Sequence, residues 1–560
     1  METNKNYTDH LDKLIKNPLF ILIIITIGIA TYLLAKQIYM GVTYYDVFIY
    51  LNNALIFSGT PIGGVIYLSP LIPFLTSLFF RLGYISSNAI FIVDAAIFVF
   101  GVIGIYLLLK QRFNTAQSFS GSLIFISLPL IFTWAVSGGI DVPGISFSIW
   151  TLYFLVVGLK KESKYLYLVF PMLAVAFLAK YTSAIIIFPI FLYILINENL
   201  KTNIKKITLT ILAVLTVFIP FFSYISYKSG NLNHVISIFI SLLTNNTGVS
   251  DPGYNPDKLY FLKNLLNYLS VGPIQGPYNI IQNPSQGYPS ILAYILTFIV
   301  LTGLLIYIYT VLKKKKDKIN LNNQKKNICY IALIAGLSMA SLISFTTNFL
   351  IVTELIVFAT LFVCYQFLKD ANIKNLEIDF LFLSWFLVFF IFHSTLSNKV
   401  DRYFITMTPA FTYFIILGLS VVIEKLNFKF KKNQLKTGSI YLIIGLMLLS
   451  FTAITHIGHS EKRGYVHYME LACDQLVTYD PNYQKSIIYS DYNPAVTWIL
   501  KKEVKFGSPE LYGSPEKFSA ALKDGDAEYY IDALTDQKWD IPGYHRIPAQ
   551  DEIAIYKKDS

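Results

Sequence analysis

The sequence predicts a polytopic α-helical membrane protein, with about thirteen transmembrane helices and a small C-terminal extracytoplasmic α/β domain. Three observations predict it. Of 560 residues, 54% are hydrophobic and only 14% charged, against about 25% charged in soluble chains. Mean hydropathy is +0.54, which excludes a soluble enzyme, a disordered chain and a coiled coil. The charge is also divided. Residues 1–457 carry 33 basic and 17 acidic residues, net +16, whereas 458–560 carry 12 and 17, net −5. The basic excess falls in short loops between apolar runs, as the positive-inside rule requires, so it is no nucleic-acid footprint.

The apolar runs lie at 18–40, 88–109, 117–136, 142–159, 164–181, 183–197, 206–227, 289–312, 327–345, 347–368, 377–395, 402–423 and 437–457. Each is near the ~20 residues that cross ~30 Å of hydrocarbon. The run at 67–83 contains Pro70 and Pro73, which suit a bent surface helix better than a straight span. Reading it so leaves 25 of the 33 Lys and Arg on inner loops or the N-terminus, with the N-terminus cytoplasmic and the tail outside. The first run is too long for a signal peptide and no small-residue cleavage site follows it. Three outer segments follow: 41–87, 228–288 with a helical stretch near 257–270, and the tail. The domains are therefore 1–457, spanning the membrane, and 458–560, soluble. In the tail, 486–489, 528–531 and 552–556 read as strands, and 495–501 and 515–523 as helices. Cys329, Cys364 and Cys473 give neither a disulfide framework nor zinc spacing.

Against this apolar background a few charges stand out. Asp46 is the only charged residue between Lys36 and Arg81. It lies beyond the outer end of the first span, and Tyr50 shares its helix face four residues on. A carboxylate there is placed to take a proton from an acceptor hydroxyl; the alternative is a cap of a surface helix. Asp141 follows Ser137-Gly-Gly139 on the same membrane face and is either a partner of Asp46 or the N-cap of the next helix. Lys180, in Leu178-Ala-Lys-Tyr181, is the only base at its turn. It can neutralise a phosphate at headgroup depth, or simply snorkel. Arg402-Tyr403 opens the twelfth span. Its guanidinium suits bidentate phosphate contacts, the alternative being a boundary arginine, unpaired or paired with Asp401. Asp94 and Glu354 lie inside apolar runs, where a hydrogen bond between helices is the commoner explanation. Asp524-Gly-Asp526 imitates a metal-binding pair but reads as a turn, and Asn245-Asn-Thr247 is a weak glycosylation sequon.

Together these residues resemble the C-type glycosyltransferase superfamily (the GT-C fold). The nearest pattern is the branch of dolichyl-phosphate-mannose–protein mannosyltransferases and bacterial aminoarabinose transferases. The likeness runs through Asp46, Tyr50, Ala54, Gly59, Pro61, Tyr67 and Ser69-Pro70-Leu71-Ile-Pro73. It continues through Asp141, Lys180-Tyr181, and Arg402-Tyr403 with Pro409. In the tail, Tyr489-Ser-Asp-Tyr-Asn-Pro494 with Trp498 resembles the extracytoplasmic domain of archaeal members. Three departures matter. Val47 stands where Glu often follows the first Asp. Leu68-Ser69-Pro70 replaces Lys-Pro-Pro, which puts more weight on Lys180 and Arg402. No two of the five Trp adjoin, so the Trp-Trp-Asp motif of oligosaccharyltransferases is missing and en bloc glycan transfer is not implied.

The resemblance implies a polyprenyl-phosphate-linked sugar donor, an acceptor hydroxyl on a glycan, glycolipid or protein, and membrane lipid around both. It implies Asp46 as general base of an inverting displacement, with Lys180 and Arg402 on the leaving phosphate. Asp141 and Tyr50 would orient the acceptor, the sugar or Asp46, and Tyr181 and Tyr403 fall in the same motifs. No cofactor is required by the pattern; two carboxylates leave room for a divalent metal but show no ligand set. An Ile-, Asn- and Lys-rich composition hints at an archaeal genome and a dolichyl-type lipid. The alternatives are a transporter or lipid flippase, which should show paired half-chain repeats, and an inactive assembly scaffold.

Overall fold

Long apolar segments become helices in a bilayer because every backbone N–H and C=O must be satisfied within the segment. The computed structural model describes residues 17–60, 62, 68–197, 200–229, 254–272, 279–318, 324–347, 350–427, 434–459, 465–534, 539–549 and 553–559. Pro61, Tyr67 and the sequon at Asn245 lie outside the described residues. The membrane helices in chain order begin with α1 (Pro18–Met40), α2 (Tyr45–Ser58), α3 (Leu71–Arg81), α4 (Asn88–Leu109), α5 (Thr115–Ser127) and α6 (Pro129–Trp134). Next are α7 (Asp141–Lys160), α8 (Leu166–Ala179), α9 (Ile187–Ile196), α10 (Leu200–Ser229), α11 (Ile291–Lys316), α12 (Gln324–Thr346) and α13 (Leu350–Leu368). Helices α14 (Leu376–Thr395), α15 (Thr408–Asn427) and α16 (Gln434–Gly458) complete the bundle.

All thirteen expected runs lie on helices. Among the described residues ten helices are long and apolar enough to cross a bilayer, and 163–179 and 181–196 are shorter apolar helices. The run 117–136 is broken into α5 and α6. Leu128 precedes Pro129 and is extended, with ψ 128°, because the proline ring crowds the helical conformation of the residue before it. The run 67–83 yields only the eleven-residue α3, too short to span, and α2 before it has fourteen residues. These two helices lie between spans α1 and α4. Helices α11 and α15 cross at Gly303 and Gly418, where an added Cβ on Gly303 would sit 2.0 Å from the Gly418 carbonyl oxygen, so the backbones meet directly.

The stretch near 257–270 forms two short helices, Tyr260–Lys263 and Leu265–Leu269, followed by β1 (Val271–Gly272) paired antiparallel with β2 (Tyr288–Pro289). Asp401 ties this segment to the bundle. It accepts hydrogen bonds from Tyr260 (2.6 Å), Tyr268 (2.9 Å) and the Ser285 amide (2.7 Å).

The tail contains α17 (Tyr465–Tyr479), α18 (Asn493–Leu500) and α19 (Pro515–Asp524), with strands β3 (Ile488–Ser490), β4 (Lys505–Phe506), β5 (Tyr529–Asp532), β6 (Tyr544–Ile547) and β7 (Ala554–Lys558). The sheet order is β4-β3-β5-β7-β6, parallel around β3 and antiparallel around β7. Alternate residues face opposite sides, as the strand period of two dictates. Tyr529 and Ile531 pack with Met469, Cys473 and Leu476 of α17, whereas Tyr530 and Tyr556 pack with Phe518 and Leu522 of α19. Asp526 occupies a left-handed turn, φ 51°, and its carboxylate takes Lys558 Nζ at 3.1 Å, so Asp524-Gly-Asp526 is a turn as expected.

Helix α18 docks the tail onto the surface helices. Asn52 Nδ2 of α2 donates to the Pro494 carbonyl at 2.9 Å. Tyr492 packs against Tyr45 and Phe48 at ring distances of 5.1 and 5.9 Å, and Trp498 stacks on Phe80 of α3 at 5.8 Å.

Candidate active site

Four charged residues separated by up to 356 positions in the chain meet at one end of the bundle. Arg402 Nη2 donates to Asp46 Oδ2 at 2.9 Å, and its Nη1 lies 3.9 Å from Asp141 Oδ2. Asp141 Oδ1 in turn accepts from Lys180 Nζ. The result is a continuous chain, Asp46–Arg402–Asp141–Lys180, of two carboxylates and two cations. Its two carboxylates differ in exposure: the Asp46 side chain is 24% exposed and Asp141 4%.

Local structure explains each placement. Asp46 sits in the first turn of α2, whose N-cap is Tyr44 without a side-chain cap bond, so the carboxylate is spent on Arg402 and not on capping. Asp141 opens α7, again without a cap bond. Lys180 is extended, at the break between α8 and the 3-10 turn Tyr181–Ile186; it is 7% exposed and turned inward rather than snorkelling. Gly144 makes room for it, since an added Cβ there would lie 2.7 Å from Lys180 Cβ. Arg402 ignores its neighbour Asp401, which belongs to the loop anchor. Aromatic rings frame the guanidinium: Tyr44 at 4.3 Å, Trp134 at 5.9 Å and Tyr403 at 6.0 Å. Among the described residues Arg402 Nε has no hydrogen-bond partner although it is buried.

Of the other expected site residues, Tyr50 is buried at 2% exposure. Burial raises its phenol well above the usual value, with Asp46 adding to the effect, so it stays a protonated donor. Burial raises Tyr44 in the same way, opposed by Arg402. Tyr181 donates its hydroxyl to the Leu68 carbonyl (3.0 Å) and its amide to Ser69 Oγ (3.1 Å). It therefore fastens the surface segment beside Lys180 and does not join the ionic chain. Tyr403 lies beneath Lys180, with Nζ 5.8 Å from its ring centre, and stacks on His393 at 5.0 Å. Among the described residues no group of three His, Cys, Asp or Glu is arranged to hold a metal ion.

Sequence reasoning left Asp94 outside the site. Its Oδ2 accepts the Gly138 amide at 2.8 Å. Gly138 is left-handed, φ 82°, and a Cβ there would lie 2.7 Å from Val47 Cγ1. Asp94 therefore holds the turn that leads to Asp141 against the residue that follows Asp46. The signal was present in a lone acid within an apolar run and a Gly-Gly pair, but only the fold connects them. Glu354, 3% exposed, makes no hydrogen bond among the described residues.

Residues 68–224 match the family model described as dolichyl-phosphate-mannose-protein mannosyltransferase. Comparison with curated protein sequences finds no match. Among solved structures, ArnT from Cupriavidus metallidurans bound to undecaprenyl phosphate aligns with a TM-score of 0.56 at 10% identity, covering 95% of this chain and 97% of that one. The archaeal oligosaccharyltransferase AglB from Archaeoglobus fulgidus, in complex with an inhibitory peptide and a dolichol-phosphate, aligns with a TM-score of 0.52 at 11% identity, covering 92% and 69%. The fold is the one these transferases share. Together the findings show a fold shared with ArnT and AglB over most of the chain, and a sequence match to the mannosyltransferase family model over residues 68–224.

Proposed function

We propose that the chain moves a sugar from a polyprenyl-phosphate donor to an acceptor hydroxyl at the outer membrane surface, with inversion at C1. The observation that carries this reading is the ionic chain Asp46–Arg402–Asp141–Lys180. Asp46 takes the acceptor's hydroxyl proton as that oxygen attacks C1. The bond from C1 to the phosphate oxygen breaks, and the polyprenyl phosphate leaves with the electron pair. Arg402 and Lys180 balance the charge that grows on the phosphate. Asp141 holds the two cations apart and oriented, and the Tyr50 phenol stands beside Asp46 as a neutral donor. General-base help is worth about 10²–10⁴-fold.

ArnT's undecaprenyl phosphate and AglB's dolichol-phosphate support a prenyl-phosphate donor by likeness of fold. The sidedness follows from the distribution of Lys and Arg, with the N-terminus cytoplasmic and the tail extracytoplasmic. An outward site has no access to cytoplasmic nucleotide sugars, which also favours a lipid-linked donor. The test is mass spectrometry of surface glycans and glycolipids after deletion of the gene, complemented by the natural chain or by Asp46→Asn. Deletion should remove one sugar, the natural chain should restore it and Asp46→Asn should not, at equal protein level. Restoration by Asp46→Asn would end the general-base role.

A further inference from the structure

Two adjoining cavities lie at the other end of the bundle. Helix α4 is 22 residues long, about 33 Å. Its first turns lie beside the Gly138 turn, and its far end leads to Arg112, so one bilayer thickness separates Arg112 from Asp46. An apolar groove of about 480 Å³ runs between α11, α14 and α15, lined by residues such as Leu304, Leu383, Phe411 and Ile415. Its α11 wall opens sideways, with Leu301, Ile308 and Leu312 each more than half exposed. Tyr307 and Leu417 also line a second cavity of about 520 Å³, which contains Arg112, Thr310, Ser420, Glu424 and Lys425. The two cavities meet at Tyr307 and Leu417, the first lined by apolar side chains and the second carrying the charged ones.

The charges at the polar end point to a ligand. Asp379 lies between the two cavities, matched by Arg112 at 3.0 Å and by the hydroxyls of Tyr307 and Tyr413. Lys425 and Glu424 remain at the opening, and the last turn of α11 adds Lys313, Lys314 and Lys316. We propose that this space holds a resident anionic glycerophospholipid. One acyl chain lies in the groove, the phosphate sits between Arg112 and Lys425, and Glu424 meets a hydroxyl of the headgroup. Hydrocarbon alone fits the groove but leaves Lys425 without an ion-pair partner among the described residues; water fits the chamber but not the groove. The basic collar selects an anionic lipid, and the distance from Asp46 separates it from a donor whose sugar must reach that carboxylate. That separation rests on the proposed role of Asp46; the fit of groove and charges does not.

Native mass spectrometry of the detergent-purified full chain tests it, with phosphatidylglycerol, phosphatidylcholine and undecaprenyl phosphate as probes. The natural chain should retain phosphatidylglycerol over phosphatidylcholine. Lys425→Glu, at an exposed position, should weaken phosphatidylglycerol about fivefold or more. Leu304→Trp, which fills the groove, should remove either phospholipid and leave undecaprenyl phosphate bound. Equal retention of the two phospholipids, or no effect of Lys425→Glu, would overturn the proposal. Loss of undecaprenyl phosphate in Leu304→Trp would also overturn it, by assigning the groove to the donor.

Discussion

At one end of the bundle, Asp379 receives the Arg112 guanidinium and two tyrosine hydroxyls, and its side chain is 7% exposed. At the other end, Asp46 has Arg402 as its ionic partner, keeps 24% of its side chain exposed, and shares that arginine with Asp141. Both are arginine–aspartate pairs in a membrane protein. In the first the carboxylate is saturated with donors; the second is strung out, with a buried Arg402 Nε lacking a partner among the described residues. Saturation marks a pair that holds helices together, whereas unspent hydrogen-bonding capacity beside an accessible carboxylate marks a place for a substrate.

The sharpest way to break this contrast is to remove each carboxylate. Asp46→Asn should lower sugar transfer by about 10²–10⁴-fold with an unchanged melting temperature in detergent. Asp379→Ala should do the reverse, costing ~3–5 kcal/mol of stability because it strands the Arg112 charge, while any protein that folds stays active. If Asp46→Asn unfolds the chain and Asp379→Ala abolishes transfer without unfolding it, the assignment of the two ends is inverted.

Arg402→Lys follows, with an expected loss of about 10²–10³-fold in transfer. A lysine keeps the charge but loses the fork that spans Asp46 and Asp141 and the flat face against Tyr44. Transfer within a few-fold of the natural chain would show that only charge matters there. Asp94→Leu should cost about 10²-fold through misplacement of the Gly138 turn, and Asp94→Asn should recover most of it, since an amide oxygen can still accept from Gly138. Equal losses in the two variants would deny Asp94 a positioning role.

The spans were legible because the bilayer imposes one rule on every segment: apolar runs such as 88–109 and 377–395 could hardly form anything but helices. The break at Pro129 was equally written in the chain, yet hydropathy averages over it. In the tail, α17 was missed although Met469, Ala472, Cys473 and Leu476 repeat at helical spacing, because the surrounding polar residues dilute the signal. Strand β6, with only Tyr544 and Ile547 buried, is too short to read without its neighbours. Asp46, Asp141, Lys180 and Arg402 were found one by one as charges in an apolar setting. Their linkage was not readable, since a pair such as Asp46 and Arg402 is 356 residues apart. The same limit hid the purpose of Tyr492 and Trp498, which dock the tail.

A buried and a half-buried lysine extend the contrast to the tail. Lys180 faces Asp141, whereas Lys501 has no carboxylate within ion-pair distance among the described residues; its ammonium lies 3.0 Å from the centre of the Trp498 ring. Burial lowers Lys501 to about 7 from its usual 10.5. The unfolded chain holds that proton up to about 10.5, while the folded chain releases it near 7. Between those values the unfolded state binds more protons, so stability should rise with pH across the window and level off below it. The unfolding transition of the tail, followed in the full chain by circular dichroism, should therefore move to higher temperature from about pH 7 upward. Lys501→Met should flatten that rise, because no proton remains to be released. A natural chain whose transition does not move across the window, or an equal rise in Lys501→Met, would show that the cation is not confined where the tail meets α3.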